Sequence, residues 1–183
     1  MANESNNEWE TGLIGGVEKR VIEIVPYSSA WPHQFQDHST RIKDAIGEVA
    51  LRIEHIGSTS VERLAAKPII DILVVIADPS KEELYLQSLL NAGYELRVRE
   101  PDYDNHRMFR TTERDVHIHI YPPSSEEVER YLIFRDFLRT NPEARDEYAA
   151  LKQKLSESNW KDMNEYSAAK TSFIDEIITR AKS

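Results

Sequence analysis

A single acidic residue within an apolar strand constrains this chain more than any other feature. Residues 69–76 are almost all aliphatic, and many are β-branched, which is typical of a strand in a sheet interior, yet the run contains Asp71. Burying an unpaired carboxylate costs several kcal/mol, so Asp71 requires either a partner or a function. Lys67 or a nearby backbone amide is the candidate partner, and binding of a ligand or metal ion is the candidate function.

The residues before this strand predict a turn suited to phosphate. Residues 51–56 form a predicted strand, and Gly57 and Ser58 form a turn that opens a short helix. Backbone N–H groups and hydroxyls at such a turn bind phosphate oxygens. We therefore expect Gly57 and Ser58 to bind phosphate beside Asp71.

Length, charge and cysteine content exclude several classes of protein. A chain of 183 residues, 40% hydrophobic and 30% charged, fits one compact domain. The net charge of −9 argues against nucleic acid as a partner. A local basic pocket is still compatible with this net charge. The chain has no cysteine, which excludes disulfides and fits a cytoplasmic location. No apolar run approaches the ~20 residues that span a bilayer, so no membrane partner is expected.

The hydrophobic pattern predicts one α+β domain over residues 20–183 after a loose tail over residues 1–19. The predicted strands are 21–25, 51–56, 69–76, 94–98, 106–111 and 115–121, the last two joined as a hairpin. The predicted helices are 31–49, 81–91, 126–139, 142–156 and 163–181. This order implies a mixed β-sheet flanked by helices, with a helical C-terminal third. It leaves the oligomeric state open.

Two histidines occupy alternate positions of the last predicted strand. His117 and His119 therefore lie on one face of the sheet, while the apolar residues around them take the other. Paired imidazoles suit metal ligation, proton transfer or phosphate contact. A solvated strand face produces the same alternation, so the spacing alone leaves both interpretations open.

Arginines and a lysine add candidate anion ligands. Arg107 and Arg110 lie an odd number of residues apart and cannot share a strand face, and we favour the face of Arg110. Arg135 lies on a helical stripe that is either an anion clamp or a solvated face paired with acids. Lys170, four residues after Tyr166, is either a phosphate ligand or a surface residue.

Seven motifs in this order resemble those of the GrpB family. They are His55-Ile-Gly-Ser-Thr-Ser-Val61, Ala66-Lys-Pro-Ile-Ile-Asp-Ile72, Gly93-Tyr94, His106-Arg-Met-Phe-Arg110, Val116-His-Ile-His119, Phe134-Arg-Asp-Phe-Leu-Arg139 and Tyr148-Ala-Ala-Leu-Lys152. The resemblance covers residues 21–178 and implies the nucleotidyltransferase superfamily fold. Family members occur alone or fused to dephospho-CoA kinase, and the resemblance implies a small phosphate-containing ligand, either a nucleotide or a CoA-like molecule.

The family pattern carries pocket residues onto this sequence. As implied by the resemblance, the candidates for catalysis and for binding Mg²⁺, Mn²⁺ or Zn²⁺ are Asp71, His117 and His119. The candidates for ligand binding are Gly57, Ser58, Lys67, Arg110 and Arg135.

The sequence departs from the family and superfamily patterns at two places. Val61-Glu62-Arg63-Leu64 stands where the family usually has Val-Pro-Gly-Leu, which removes a rigid proline and a permissive glycine. Active nucleotidyltransferases hold two magnesium ions with a second carboxylate two residues after the first, and here that position is Leu73. The second departure puts a two-metal transfer mechanism in question.

Three functions are therefore compatible with the sequence. The first is transfer of a nucleotidyl or phosphoryl group to a small acceptor, with Asp71 holding a metal ion. The second is a binding module that retains the phosphate pocket without turnover. The third is a hydrolase or lyase in which the two histidines bind a metal ion or act as general acid and base.

Overall fold

The computed structural model describes residues 12–183, which form a five-stranded mixed sheet. The strands are β1 (Arg52–Ile56), β2 (Ile70–Val75), β3 (Tyr94–Glu100), β4 (His106–Thr111) and β5 (Val116–Tyr121), in the spatial order β1-β2-β5-β4-β3. β2 and β5 are parallel neighbours, and every other pair is antiparallel. The predicted mixed sheet, including the β4–β5 hairpin, is confirmed.

Within residues 12–183, six α-helices flank the sheet. They are α1 (Trp31–Ile46), α2 (Leu86–Asn91), α3 (Glu126–Thr140), α4 (Pro142–Ser156), α5 (Met163–Ala168) and α6 (Thr171–Lys182). The last four form the predicted helical C-terminal third, so the predicted α+β fold class is confirmed. None of the helices within residues 12–183 is long and apolar enough to cross a membrane.

Alternation along β2 separates two packed faces of the sheet. Ile70, Ile72 and Val74 belong to the main core, which also contains residues of α1 and α2. Leu73 and Val75 face the opposite way and pack in a smaller cluster that includes residues of α3. Because both faces of β2 are covered, the strand is apolar almost throughout. Asp71 is two residues before Leu73 on β2, so its side chain leaves the same face of the sheet, the one covered by the C-terminal helices.

One predicted strand and three predicted helices differ from the structure. The predicted strand 21–25 is wrong, because among the described residues only Val25 of this segment pairs, through a bridge to Ala66, and Val21 is 92% exposed. The first helix ends at Ile46, where Gly47 adopts a positive φ of 53° and a 3-10 turn (Gly47–Val49) follows. The predicted helix 81–91 is a 3-10 turn (Glu82–Leu84) followed by α2, and the predicted helix 163–181 is divided into α5 and α6.

The segment before α1 lies along the sheet edge. Leu13 forms a bridge with Val98 of β3, and Glu18 forms an ion pair with Arg110. Residues 12–19 belong to the predicted loose tail, yet they make these contacts with the sheet. The remainder of that predicted tail, residues 1–11, lies outside the described residues.

Candidate functional site

A cavity of about 550 Å³ lies between the face of the sheet that carries Asp71 and the C-terminal helices. Six of the predicted site residues line it: Gly57, Ser58, Lys67, Asp71, His117 and His119. Tyr131 of α3, Tyr148 of α4 and Tyr166 of α5 contribute aromatic walls. The turn, β2, β5 and the helical third therefore meet at one place.

The Gly57–Ser58 turn packs directly on the strand carboxylate. Ile56, the last residue of β1, pairs with Asp71, so the chain turns at Gly57 beside the carboxylate. Gly57 has a φ of 69°, and a Cβ atom at this position would lie 2.6 Å from Oδ2 of Asp71. Only glycine combines this backbone conformation with such a close approach.

Asp71 faces two imidazoles from the neighbouring parallel strand. Its Oδ1 lies 3.6 Å from Nδ1 of His117 and 3.7 Å from Nε2 of His119. Burial acts to raise the pKa of Asp71, but the pKa lies below its ordinary value, and the facing imidazole of His117 is the first contribution that lowers it. The carboxylate is therefore ionised at neutral pH. Its partners are the two histidines rather than Lys67, which the sequence offered as one alternative.

The three side chains fit a single divalent cation. Each offers one ligand atom, and the three atoms lie within 4.8 Å of one another. One carboxylate and two imidazoles form a donor set that suits Zn²⁺ or Mn²⁺ better than Mg²⁺, which prefers oxygen ligands. The arrangement does not fit a two-magnesium site, because the second-carboxylate position, Leu73, is fully buried in the apolar cluster of β2.

Three lysines approach the cavity from separate parts of the chain. Lys67 precedes β2, Lys152 belongs to α4, and Lys170 lies between α5 and α6. The Nζ atoms of Lys152 and Lys170 lie over the rings of Tyr148 and Tyr166, at 4.7 and 4.4 Å from the centroids. Within residues 12–183, no carboxylate lies at ion-pair distance from the Nζ atom of these lysines.

Burial weakens the hold of these lysines on their protons. It lowers the pKa of Lys67 to about 8 and that of Lys152 to about 7, and it also lowers the pKa of Lys170. Lys152 donates to the backbone oxygen of Ala65, an uncharged acceptor. An anion in the cavity would relieve the cost of burying these ammonium groups.

Two predicted ligand-binding arginines do not line the cavity. Arg110 shares the sheet face of His117, but its guanidinium group binds Glu18 and Glu95 at 3.0 and 2.5 Å. Arg135 binds Glu54 and Asp136, both at 2.7 Å. Their long side chains reach carboxylates outside the site. The periodicity of a strand or helix does not predict where the end of such a side chain lies.

Lys152 and Tyr148 were not assigned to the site from the sequence. They lie four positions apart on α4, and this spacing places both on one side of the helix. The Tyr148-to-Lys152 segment is one of the motifs shared with the GrpB family, so a usable signal was present. Burial of Lys152, only 2% exposed, is what separates it from a surface lysine.

Comparison with known proteins places the chain in a family. A family model described as GrpB protein matches residues 21–180. The chain belongs to the GrpB family. A UPF0157 protein of Streptomyces coelicolor is 49% identical over 169 residues, which cover 92% of this chain and 89% of the relative. Another, from Halalkalibacterium halodurans, is 43% identical over 160 residues, covering 87% and 82%.

A solved structure supports the same assignment. The crystal structure of the conserved protein GrpB from Enterococcus faecalis superposes with a TM-score of 0.78 at 36% identity. The match covers 87% of this chain and 96% of that one. This GrpB chain therefore shares the fold of the Enterococcus faecalis protein, a mixed sheet flanked by helices.

Proposed function

We propose that this GrpB-family protein binds a small ligand through its phosphate groups and transfers a nucleotidyl or phosphoryl group from it to a small acceptor. One observation carries the proposal: the same cavity contains the Asp71–His117–His119 cluster and three lysines without carboxylate partners among the described residues. A nucleotide or a CoA-like molecule supplies the matching anionic groups. The cavity, about 550 Å³, lies within the usual range for small-molecule sites.

The lysines supply positive potential within a protein of net charge −9. Their buried ammonium groups attract phosphate more strongly than exposed lysines do, because the surroundings screen the charge less. The Gly57–Ser58 turn adds backbone N–H groups and a hydroxyl, which hold phosphate oxygens without adding bulk. Together these groups orient the phosphates along the sheet face that carries Asp71.

A divalent cation belongs to this proposal. Asp71, His117 and His119 would hold it, and when bound it would neutralise charge on the phosphate oxygens. The lysines then hold the remaining phosphate charge. Tyr131, Tyr148 and Tyr166 form the helical wall of the same cavity.

A non-catalytic binding module is the second candidate. The observation that favours it is the full burial of Leu73, since the position that would carry the second metal-binding carboxylate lies in an apolar cluster. A single cation with two imidazoles supports binding of phosphates without the paired-metal geometry of phosphoryl-transfer sites. Turnover separates the two candidates.

Thermal melts test the proposal. The parent protein is melted with ATP, GTP, UTP, inorganic tripolyphosphate or coenzyme A, each with and without Mn²⁺ or Mg²⁺. A ligand that binds the folded state raises the melting temperature with its concentration. We expect such a shift for at least one phosphate compound, its loss in Lys170→Met, and no change in Lys154→Met, which alters an exposed lysine of α4.

The same panel decides between the candidates. Acceptor-dependent release of pyrophosphate, from nucleotidyl transfer, or of a nucleoside diphosphate, from phosphoryl transfer, would support the transferase and exclude the binding module. Binding without any release would favour the binding module. Absence of a shift with every compound, with or without the cation, would contradict both.

A further inference from the structure

His119 belongs to a chain of hydrogen bonds that leads away from the cavity. Its Nδ1 lies 3.3 Å from Nε2 of His106, and Nδ1 of His106 lies 2.6 Å from Oε2 of Glu100. The ring of His106 is stacked on Tyr121, with centroids 4.5 Å apart and planes at 16°, which fixes its orientation. The side chain of His106 is 8% exposed, whereas that of Glu100 is 38% exposed.

The acceptor at the end of this chain determines which nitrogens carry hydrogen. An ionised carboxylate only accepts, so Nδ1 of His106 donates to Glu100. In the tautomer of His106 that donates through Nδ1, the lone pair lies on Nε2, which is then an acceptor. That nitrogen is placed to accept from Nδ1 of His119, and a His119 that donates through Nδ1 carries its lone pair on Nε2.

That lone pair faces a carboxylate. Nε2 of His119 and Oδ1 of Asp71 are 3.7 Å apart, and in this tautomer both are acceptors. Two facing acceptors repel unless a positive group lies between them. Nδ1 of His117 lies 3.6 Å from the same oxygen, so a cation has three ligand atoms available within one small volume.

We propose that Glu100 and His106 are positioning residues that hold His119 in the Nδ1–H tautomer, so that its Nε2 binds a divalent cation together with Asp71 and His117. This inference rests on the cation site of the proposed function. Carboxylate and imidazole partners of this kind orient metal-ligating histidines and increase their basicity. The competing arrangement is a protonated His119 that donates to Asp71 with no cation present.

Two variants and one control test the assignment in the 183-residue protein with metal alone. His106→Phe keeps an aromatic ring against Tyr121 but removes both nitrogens. Glu100→Ala removes the acceptor and leaves His106 in place. Glu95→Ala is the matched control, because Glu95 lies on the same strand but pairs with Arg110. Calorimetry measures Zn²⁺ and Mn²⁺ affinity, and ¹⁵N chemical shifts of the histidine side chains show which nitrogen of His119 carries hydrogen.

We expect Zn²⁺ and Mn²⁺ affinity to fall about 10- to 100-fold in both variants, with the control equal to the parent. In the metal-free parent, His119 should carry hydrogen on Nδ1, and His106→Phe should abolish this preference. Thermal melts verify that each variant folds. If His106→Phe does not fold, metal affinity in Glu100→Ala tests the positioning role.

Three results would overturn the inference. They are hydrogen on Nε2 of His119 in the metal-free parent, parent-like metal affinity in both variants, and no metal binding by the parent. Because nucleotides are absent from these measurements, the proposed function can fail separately. A parent that binds the cation with the expected tautomer but binds no phosphate compound would refute only the proposed function.

Discussion

Gly57 packs so closely on Asp71 that a Cβ atom at position 57 would lie 2.6 Å from Oδ2 of the carboxylate. The backbone of the turn therefore lies in direct contact with one residue of the proposed cation site. A larger residue would push the turn away from Asp71 and would also have to adopt a φ of 69°.

Gly57→Ala should lower the free energy of unfolding by roughly 2–5 kcal/mol, since backbone strain and a clash within a packed site both contribute. Chemical denaturation measures the change. Gly93→Ala is the matched control, because Gly93 also has a positive φ, 94°, but a Cβ atom there would meet none of the described residues within 4 Å. Equal losses in the two variants would show that the contact with Asp71 carries no energetic weight.

Leu73→Asp should destabilise the protein by several kcal/mol, because the new carboxylate would enter an apolar cluster that is closed to water. Leu73→Met, which preserves volume, should cost less than about 1.5 kcal/mol. Paired thermal melts and a nucleotide-turnover assay check both. A stable Leu73→Asp protein that gains metal affinity would instead indicate a transferase that has lost one carboxylate.

The proposed site should bind Zn²⁺ or Mn²⁺ more tightly than Mg²⁺, because imidazole is a poor ligand for magnesium. His117→Ala should weaken binding of the preferred cation at least about tenfold. His33→Ala, which alters an exposed histidine of α1, should not. Calorimetry with each metal provides the comparison. Tight Mg²⁺ binding that persists in His117→Ala would reject a histidine-containing site.

Affinity for inorganic tripolyphosphate should fall as pH rises through about 7, because burial lowers the pKa of Lys152 to that value and its ammonium form is lost. Titration of the phosphate itself acts in the opposite direction, so the parent is compared with Lys152→Met and with Lys154→Met. Only Lys152→Met should lose the decrease in tripolyphosphate affinity around pH 7. Calorimetry between about pH 6 and 9 measures it, and identical pH profiles for all three proteins would contradict the assignment.

Lys152 should also make stability depend on pH. Its folded pKa, about 7, lies below the ordinary value of 10.5, so between these values the unfolded chain binds more protons than the folded protein. The contribution of Lys152 to the free energy of unfolding therefore increases as pH rises across this range. Denaturation of the parent and Lys152→Met at about pH 7 and about pH 9 checks the sign.

Local sequence patterns determined the elements on which the candidate site is built. Alternation within β5 places His117 and His119 on one face, and the acidic residue within an apolar strand identified Asp71. The Gly57–Ser58 turn was also evident, because glycine and serine signal a turn wherever they occur between strands. These features depend on neighbouring residues alone, and the family motifs then identified the fold.

Only the tertiary structure decided which long side chains belong to the cavity. Arg110 and Arg135 were expected there, but nearby carboxylates draw their guanidinium groups elsewhere. Lys152 reaches the same cavity as the turn and β2, although it lies far from Asp71 in the sequence. Periodicity specifies the face from which a side chain leaves the backbone. The position of a charged group at the end of a flexible stem depends on partners that folding brings from distant parts of the chain.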